Sequence, residues 1–170
     1  MKYSIAVDID DVLAQFYPAM CKRFGTNIKQ TNIWNPEGPA SLVANNFHII
    51  QNNKRFWLSL EKESQPEDID FPVTCYITAS PSLMRGFRKE WLDFWRFPQA
   101  PVISAQNKAQ VMRQKDIDVL IDDKPSTIRA VQASGLIGIQ YVPSYMNEIV
   151  EGGNFIRHLS QVREVLKNPK

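Results

Sequence analysis

The chain has 170 residues, of which 44% are hydrophobic and 22% charged, a balance typical of one globular domain with room for an inserted sub-domain. Its 20 Lys and Arg residues exceed its 18 Asp and Glu residues by two, so the net charge is +2. This charge excludes a protein that coats polyanions by bulk charge and an acidic disordered tail, but it leaves small phosphorylated substrates open.

The predicted elements begin with a buried strand over residues 3–9, an apolar run that ends in acidic residues. Apolar residues at roughly helical spacing predict a first helix over residues 12–24, which a glycine ends. From residue 26 to residue 70, Asn and Pro become frequent, and we expect only short helices near residues 39–51 and 54–62. Residues 26–70 are therefore a candidate inserted cap of helices.

After this insertion, strands and helices alternate regularly. The predicted strands are four short apolar runs, at residues 73–78, 101–104, 117–121 and 136–142. The predicted helices cover residues 81–97, 108–114, 125–134 and 155–166. This alternation predicts an α/β fold in which residues 1–25 and 71–170 form a core, with a parallel sheet flanked by helices.

Acidic residues and one threonine stand where the predicted strands end. Asp8, Asp10 and Asp11 follow the first strand, Thr78 ends the second, and Asp122 and Asp123 follow a later one. Since ligands collect at the carboxyl ends of parallel strands, residues over 110 positions apart in sequence can converge on one site. A single Asp there is often only a turn former or a helix cap, but the joint pattern indicates a functional site.

Four or five carboxylates in one crevice repel each other strongly unless a cation neutralises them. Carboxylate oxygens with neither Cys nor His nearby suit Mg²⁺, which we therefore expect as the cofactor. Together with the hydroxyl group of Thr78 and the ammonium group of Lys108, these acids form a set typical of phosphoryl transfer.

The same residues carry a resemblance to a known superfamily. The stretch Asp8-Ile9-Asp10-Asp11-Val12-Leu13 resembles the first motif of the haloacid dehalogenase superfamily. Thr78 matches its second motif, Lys108 its third, and Asp122-Asp123 its fourth. Each motif alone is weak, but all four occur in order and span most of the chain. The resemblance implies a Rossmann-like core with a small helical cap between the first and second motifs.

A closer resemblance is to the 5′(3′)-deoxyribonucleotidase family. The stretches that carry it are residues 8–16, Ile77-Thr78-Ala79-Ser80-Pro81, the Lys-Glu-Trp91 helix and residues 120–125. That family usually has Gly where Asp11 stands and an acidic residue where Gln15 stands. Asp11 adds a carboxylate near the site, and the sequence leaves open whether it changes the affinity for metal or points away.

The resemblance implies a role for each motif residue. Asp8 is the expected nucleophile, which forms an aspartyl-phosphate, and Asp10 is the expected general acid and later the base. The expected Mg²⁺ ligands are Asp8, the main-chain carbonyl of Asp10, Asp122 and Asp123. The expected phosphate-binding residues are Thr78, Ala79, Ser80 and Lys108.

The predicted cap is rich in aromatic residues, and nucleobases stack on aromatic faces at about 1–3 kcal/mol per base in single-strand binders. We expect base contacts from Phe16, Trp34, Phe47 and Trp57, and the resemblance places a stacking ring at the position of Phe16. The alternative is that the rings of the cap, with Phe56 among them, form its own small core.

The resemblance therefore predicts a Mg²⁺-dependent phosphomonoesterase that acts on a small-molecule substrate, the deoxyribonucleoside 5′(3′)-monophosphates. The alternatives are a phosphatase of the superfamily for another small phosphomonoester, a phospho-receiver that is not an enzyme, and a binding protein without catalysis. The chain has no basic tract, which argues against long nucleic acid as a partner. Base preference, phosphate position and the choice between monomer and homodimer stay open.

The sequence also indicates the compartment. Cys21 and Cys75 are too few for a disulfide framework, and both stand among apolar neighbours, so we predict two buried thiols. No window approaches 18 apolar residues, so we expect no membrane-spanning helix, and the charge of Asp8 comes too early for a signal peptide. These features predict a reducing compartment, the cytoplasm.

Overall fold

The structure, a computed structural model, describes residues 3–27 and 39–169. Within these residues, six strands form one sheet, and every neighbouring pair of strands is parallel. The strands are Ile5–Val7 (β1), Cys75–Thr78 (β2), Val102–Ser104 (β3), Val119–Asp122 (β4), Ile137–Tyr141 (β5) and Asn154–Ile156 (β6). Their order across the sheet is β3-β2-β1-β4-β5-β6.

In chain order, the α-helices of the described ranges lie between these strands, except the last, which follows β6. They are Phe16–Arg23 (α1), Pro39–Ile50 (α2), Lys54–Leu58 (α3), Arg85–Phe94 (α4), Lys108–Gln114 (α5), Pro125–Ala133 (α6) and Val162–Val165 (α7). Among the described residues, no helix is both long enough and apolar enough to cross a bilayer. The alternation of strands and helices confirms the predicted α/β fold with a parallel sheet.

The strand order reverses at the centre of the sheet, between β1 and β4. Successive strands β1, β2 and β3 extend the sheet in one direction, whereas β4, β5 and β6 extend it in the other. In β1, Ala6 pairs with Cys75 on one side and with Leu120 on the other. Open parallel sheets bind ligands in the crevice at such a reversal, outside the carboxyl ends of the strands. The topology therefore directs attention to the residues that follow β1 and β4.

The central strands explain why the sequence shows apolar runs rather than alternation. All three residues of β1 are fully buried, as a strand must be when helices cover both faces of the sheet. The main core joins the sheet to α1, α3 and α4, and it includes Phe56 and Trp57 of the segment predicted as a cap. Cys21 and Cys75 are free and buried, which confirms the prediction of two buried thiols.

The segment between α1 and β2 contains the helices α2 and α3, close to where short helices were expected. Residues just before α1 are hydrogen-bonded to residues that follow α3. The Glu63 amide donates to the Leu13 carbonyl (2.7 Å), the Gln15 amide to the Glu61 carbonyl (2.9 Å), and the Ser64 hydroxyl to the Val12 carbonyl (2.7 Å). We call this pairing of residues 12–15 with residues 61–64 the clasp. It holds the two ends of residues 16–60 together, a stretch that includes α1, α2 and α3.

Two boundary predictions fail for physical reasons. The first helix starts at Phe16 rather than Val12, because residues 10–14 form a tight turn in which Asp11 has φ 58°. The predicted helix over residues 155–166 is wrong: Asn154–Ile156 is the sheet-edge strand β6, followed by a 3₁₀ turn at Leu159–Gln161 and the short α7. Asn154 and Ile156 are buried while Phe155 is exposed, which is the alternation of an edge strand.

Candidate active site

Three carboxylates meet at the centre of the sheet edge. Asp8 follows β1, Asp122 is the last residue of β4, and Asp123 follows it. One oxygen from each of the three lies within 4.8 Å of the other two, and all three side chains are buried. We call Asp8, Asp122 and Asp123 the acid cluster. The sequence prediction that acids over 110 positions apart would converge is thus met by the geometry.

Asp8 is held on several sides. Its amide donates to the Ile121 carbonyl of β4 (2.9 Å), and its Oδ1 accepts from the Ile9 amide (2.7 Å). Its Oδ2 lies 2.5 Å from Nζ of Lys108. Burial raises the pKa of Asp8, the positive charge of Lys108 counteracts this in part, repulsion from Asp122 adds to it, and the pKa comes to about 6. Asp8 is therefore largely ionised at neutral pH.

Lys108 supplies the positive charge of the acid cluster. It is the first residue of α5, directly after Asn107, whose side chain caps the helix by accepting from the Gln110 amide. Its Nζ contacts Asp8 (2.5 Å) and Asp122 (2.6 Å). Burial disfavours the charge on Lys108, but the attraction of Asp122 and Asp8 outweighs burial, so the pKa of Lys108 lies above its ordinary value.

The two acids after β4 differ in what their oxygens contact. Asp122 Oδ2 accepts from Lys108, and its Oδ1 accepts from the Lys124 amide (2.9 Å). Asp123 Oδ2 is buried and has no hydrogen-bond partner among the described residues. Burial, together with repulsion from Asp11, Asp122 and Asp8, raises the pKa of Asp123 well above its ordinary value. Asp123 is therefore the member of the acid cluster with a carboxylate oxygen available to bind a ligand.

The acid cluster fits a divalent cation. Three buried carboxylates face one lysine ammonium group, which leaves excess negative charge in a site closed to solvent. A buried carboxylate oxygen without a partner is costly, and a bound cation removes that cost. Oxygen ligands without Cys or His match the preference of Mg²⁺. Among the described residues, Asp8 and Asp123 would hold the cation, with Asp122 occupied by Lys108.

Asp10 lies in a second group beside the acid cluster. Its Oδ2 accepts from the hydroxyl groups of Thr78 and Ser80, both at 3.3 Å, and the Ser80 amide donates to the Thr78 hydroxyl oxygen (3.1 Å). Ala79, between them, is exposed, and its carbonyl accepts from the Gln106 side chain (2.6 Å). The structure therefore brings Asp10 together with Thr78 and Ser80, two of the expected phosphate-binding residues. Lys108, another of them, contacts Asp8 instead.

Arg88 was not predicted from the sequence. It lies on α4, is fully buried, and forms an ion pair with Oδ1 of Asp10. Burial lowers the pKa of Arg88 to about 9, although the negative charge of Asp8 opposes this, so the guanidinium stays charged at neutral pH. A signal was present in the sequence, since Arg88 falls on the buried face of α4 with Met84, Trp91 and Leu92. A charged residue within an apolar stripe needs a buried partner.

The expected base-contacting rings lie in different surroundings. Trp57 is fully buried, with its ring stacked on Phe16 (centroids 5.4 Å apart, planes at 4°) and the Arg88 guanidinium 4.1 Å from its centre. Phe47 is partly buried and meets the Trp57 ring edge-on at 6.2 Å. Both Trp57 faces are covered, so in this arrangement its ring belongs to the core, which was the alternative. Trp34 lies outside the described residues.

Asp11 is a structural anchor. Its φ of 58° is in the left-handed region, which suits the Gly of the resembling family, and Asp is among the residues that tolerate it. Its Oδ1 accepts from the Tyr17 amide (2.8 Å) and the Tyr145 hydroxyl (2.7 Å). Its carboxylate thus ties α1 to the loop after β5. The other departure, Gln15, hydrogen-bonds through its side chain to Glu63.

A groove of about 790 Å³ lies between α1 and α3. Basic side chains, among them Lys22, Arg23 and Arg55, line it together with Phe56. Neither the acid cluster nor Asp10 lies on its walls. The groove is therefore separate from the group of acids described above.

No protein-family model matches the chain, and no curated protein sequence matches it. Solved structures do match. A haloacid dehalogenase-like protein of unknown function from Agrobacterium tumefaciens has a TM-score of 0.63 and 11% identity over 96% of both chains. The HAD-hydrolase YfnB from Bacillus subtilis, solved bound to magnesium, has a TM-score of 0.59 and 14% identity over 98% of this chain and 100% of that chain.

CbbY from Rhodobacter sphaeroides, solved in complex with phosphate, has a TM-score of 0.55 and 14% identity over 95% of this chain and 96% of that chain. Identities this low establish the fold alone. The chain has the haloacid dehalogenase-like fold, as the order of its motifs predicted.

Proposed function

We propose that this chain is a Mg²⁺-dependent phosphatase that works through an aspartyl-phosphate on Asp8. One observation carries the proposal: a buried Asp8 contacts Lys108 and lies next to Asp123, whose Oδ2 is buried without a partner. The fold supports it, because two neighbours of the same fold were solved with magnesium and with phosphate. A nucleophile, a cation site and a fixed positive charge in one place are the parts that phosphoryl transfer requires.

Asp8 and Asp123 would hold Mg²⁺, with the main-chain carbonyl of Asp10 as a further ligand and Asp122 close by. The bound ion would supply positive charge that neutralises the phosphoryl oxygens and screens them from Asp8. Lys108 adds a second positive charge from the chain itself and keeps Asp8 ionised, as a nucleophile must be.

In the first step, an oxygen of Asp8 attacks the phosphorus atom, and the bond from phosphorus to the leaving oxygen breaks. Asp10, in its protonated form, gives its proton to that leaving oxygen. In the second step, Asp10 as carboxylate takes a proton from water, the water oxygen attacks the phosphorus of the aspartyl-phosphate, and the bond between phosphorus and the Asp8 oxygen breaks. Phosphate leaves, and both Asp8 and Asp10 return to their starting states.

The group around Thr78 is suited to hold the phosphoryl oxygens. The hydroxyl groups of Thr78 and Ser80 lie at the end of β2 beside Asp10, and Ala79 is exposed between them. Hydroxyl and amide donors aimed at phosphoryl oxygens stabilise the charge that spreads over them in the transition state. With Lys108, these residues form the proposed phosphate-binding set.

We propose deoxyribonucleoside 5′(3′)-monophosphates as the substrates. Support comes from the motif resemblance and from the aromatic residues around Trp57, of which Phe47 is partly buried and Phe16 is buried and stacked on the Trp57 ring. Phe47 therefore carries more of the proposed base contact than Trp57, and the contact expected from Trp34 stays a prediction. Another small phosphomonoester remains the second candidate for the same chemistry.

A phosphate-release screen tests both levels of the proposal. The purified protein with Mg²⁺ is assayed on deoxy- and ribonucleoside monophosphates, with the phosphate at the 5′ or the 3′ position, and on sugar phosphates. We expect release from the deoxynucleotides, and preference for sugar phosphates would replace the substrate class while keeping the phosphatase. No release from any ester would overturn the proposal as a whole.

Two variants test the nucleophile. Asp8→Asn removes the attacking carboxylate and should abolish turnover, because an amide does not form the phosphoenzyme. The matched control is Asp116→Asn, an exposed residue with φ 52° at which Asn is also tolerated, and it should keep full activity. Full activity in Asp8→Asn would contradict the assignment.

A further inference from the structure

The ion pair between Arg88 and Asp10 has features that packing does not explain. Arg88 is fully buried on α4, and its Nε and Nη1 have no hydrogen-bond partner among the described residues. Its Nη2 faces Oδ1 of Asp10, whose side chain is 21% exposed. Burying a guanidinium with unpaired donors costs stability, and an apolar side chain of similar volume would avoid this cost. A buried charge that lowers stability in this way indicates that Arg88 has a functional role.

Without Arg88, the Asp10 carboxylate is weakly held. Its other contacts are the hydroxyl groups of Thr78 and Ser80, both at 3.3 Å, beyond the usual distance for hydroxyl donors. Those hydroxyl groups also belong to the proposed phosphate-binding set, so a substrate competes for them. Arg88 contacts the other oxygen, Oδ1, which is outside that competition.

Arg88 is itself held from the opposite side by the segment between α1 and β2. The Trp57 ring on α3 lies 4.1 Å from the guanidinium carbon, within the range of cation–π attraction. Trp57 is fixed by its indole N–H, which donates to the Ile50 carbonyl (2.9 Å), and by stacking on Phe16. A continuous series of contacts thus runs from α3 through Trp57 and Arg88 to Asp10.

We propose that Arg88 is a positioning residue for Asp10: clamped by Trp57, it holds Oδ1 of the Asp10 carboxyl group, so that Oδ2, the oxygen that carries the transferred proton, lies where the leaving oxygen departs. The inference rests on the proposed phosphatase function. Proton transfer depends steeply on geometry, because a displacement of about 1 Å at a catalytic group can cost on the order of 10²-fold in rate. Arg88 would act on the rate through Asp10, its charged contact among the described residues.

The test uses two phenyl esters of similar size. Phenyl phosphate needs a proton on its leaving oxygen, whereas p-nitrophenyl phosphate releases a stable anion without one. In Arg88→Met, we expect kcat/KM for phenyl phosphate to fall at least about tenfold more than for p-nitrophenyl phosphate, within the 10²–10⁴-fold worth of general acid catalysis. Arg88→Lys should recover part of this difference, because an ammonium group can still pair with Asp10.

The matched control is Lys89→Met, which removes the neighbouring cation of α4 and its exposed ion pair with Asp93. Lys89→Met should leave kcat/KM unchanged for both esters. Asp10→Asn removes the proton donor, so it should give the largest difference between the two esters in the loss of kcat/KM. Adding Arg88→Met to Asp10→Asn should not increase that difference. Circular dichroism and thermal unfolding verify that each variant is folded. If Arg88→Met does not fold, Arg88→Lys, which keeps a cation at the same place, should show the same selective loss at smaller size.

The outcomes separate two failures. Equal losses on both esters in an otherwise active protein, or a further selective loss in the double variant, would overturn the positioning role and leave the phosphatase proposal standing. A wild-type protein that hydrolyses neither ester nor any other phosphomonoester would overturn both together.

Discussion

The carboxyl group of Asp11 shows how burial and hydrogen bonds act on one side chain in opposite directions. Burial raises the pKa of Asp11 to about 7, although hydrogen bonds from the Tyr17 amide and the Tyr145 hydroxyl pull it down. The nearby charges of Glu63 and Asp8 raise it further. The folded protein therefore binds a proton at Asp11 more tightly than the unfolded chain does.

This shift makes stability depend on pH. The pKa of an unfolded Asp is about 3.9, so between about pH 4 and pH 7 the folded state binds more protons at Asp11 and loses stability as the pH rises. In EDTA, we expect Asp11→Asn, which is neutral and keeps an oxygen acceptor, to lose less stability over this window than the wild type. Urea unfolding at several pH values measures the difference, on the order of a few kcal/mol.

Parallel pH curves for wild type and Asp11→Asn would contradict the placement of Asp11. Asp116→Asn, at an exposed residue that also has positive φ, is the control and should follow the wild-type curve.

The pair formed by Asp10 and Arg88 leads to a second prediction at this scale. Asp10→Asn leaves a fully buried guanidinium without its counter-charge, and for fully buried pairs this costs about 3–5 kcal/mol. We expect a smaller loss here, because Asp10 is partly exposed, and recovery of stability in the double variant Asp10→Asn/Arg88→Met. Urea unfolding of the four proteins in the cycle gives the coupling free energy.

The exposed pair of Lys89 and Asp93 provides the comparison for this cycle. The cycle Lys89→Met and Asp93→Asn should give a coupling of about 0–1 kcal/mol, as exposed pairs do. Equal coupling in the two cycles would show that Arg88 is not buried against Asp10.

The acids of the site could be found from the sequence because each follows an apolar strand, and strand ends meet at one edge of a parallel sheet. Arg88 could not be located in this way, since its partner Asp10 is 78 positions away and the contact depends on how α4 packs. The different roles of Asp122 and Asp123 also needed the structure, because the contact of Lys108 with Asp122 distinguishes them.

At the scale of elements, α5 places Lys108 in the site. Lys108 is the first residue of the helix, so its position depends on the cap formed by Asn107, whose side chain accepts from the Gln110 amide at 3.0 Å. Caps of this kind are worth about 0.5–2 kcal/mol.

We expect Asn107→Ala to lower the free energy of unfolding by about 1 kcal/mol. Phosphate release should fall as well, because fraying of the first turn lets Lys108 leave Asp8. Asn107→Ser keeps a capping oxygen and should retain both stability and activity. Urea unfolding and the phosphate-release assay measure the two effects, and loss of stability without loss of activity would show that Lys108 is held by the acids alone.

Elements were predictable where a local pattern agrees with the packing. The prediction for α5 matches the observed bounds Lys108–Gln114, because a cap, helical spacing and a short length all agree. The predicted helix over residues 155–166 failed at its start, although the apolar residues there have helical spacing. Residues 154–156 form a strand because β6 pairs with β5 at the edge of the sheet. Such pairing cannot be read from the local sequence.

At the scale of the whole molecule, the acid cluster is made of residues from both halves of the sheet, β1 to β3 and β4 to β6. Asp8 follows β1, from which β2 and β3 extend, and Asp122 and Asp123 belong to the half that begins with β4. Repulsion among these buried acids opposes the folded state, and a cation bound by both halves removes it.

Mg²⁺ should therefore stabilise the protein. At a concentration 100-fold above its Kd, a ligand of the folded state adds about 2.7 kcal/mol, which for a chain of this length raises Tm by on the order of 5–10 °C. Thermal unfolding in EDTA and in Mg²⁺ measures the shift. Asp123→Asn should raise Tm in EDTA, because it removes a repulsive charge, and should lose most of the response to Mg²⁺; an undiminished response would exclude Asp123 as a ligand.

The overall fold was predictable from the order of motifs although identity to the neighbours of known structure is only 11–14%. Burial patterns and strand ends persist at such identities because they follow from the topology, whereas surface and insert residues do not. The neighbours therefore establish the fold of this chain and not its substrate.

The clasp has a consequence for how this protein can diversify. Because residues 12–15 pair with residues 61–64, the stretch of residues 16–60 begins and ends at one place. Whatever lies between these points is a loop whose ends are already closed, and lengthening such a loop costs little, about 0.6 kcal/mol per doubling. New length in this loop therefore costs little only where it spares Phe16, Phe56 and Trp57, which pack in the main core, the last of them against Arg88.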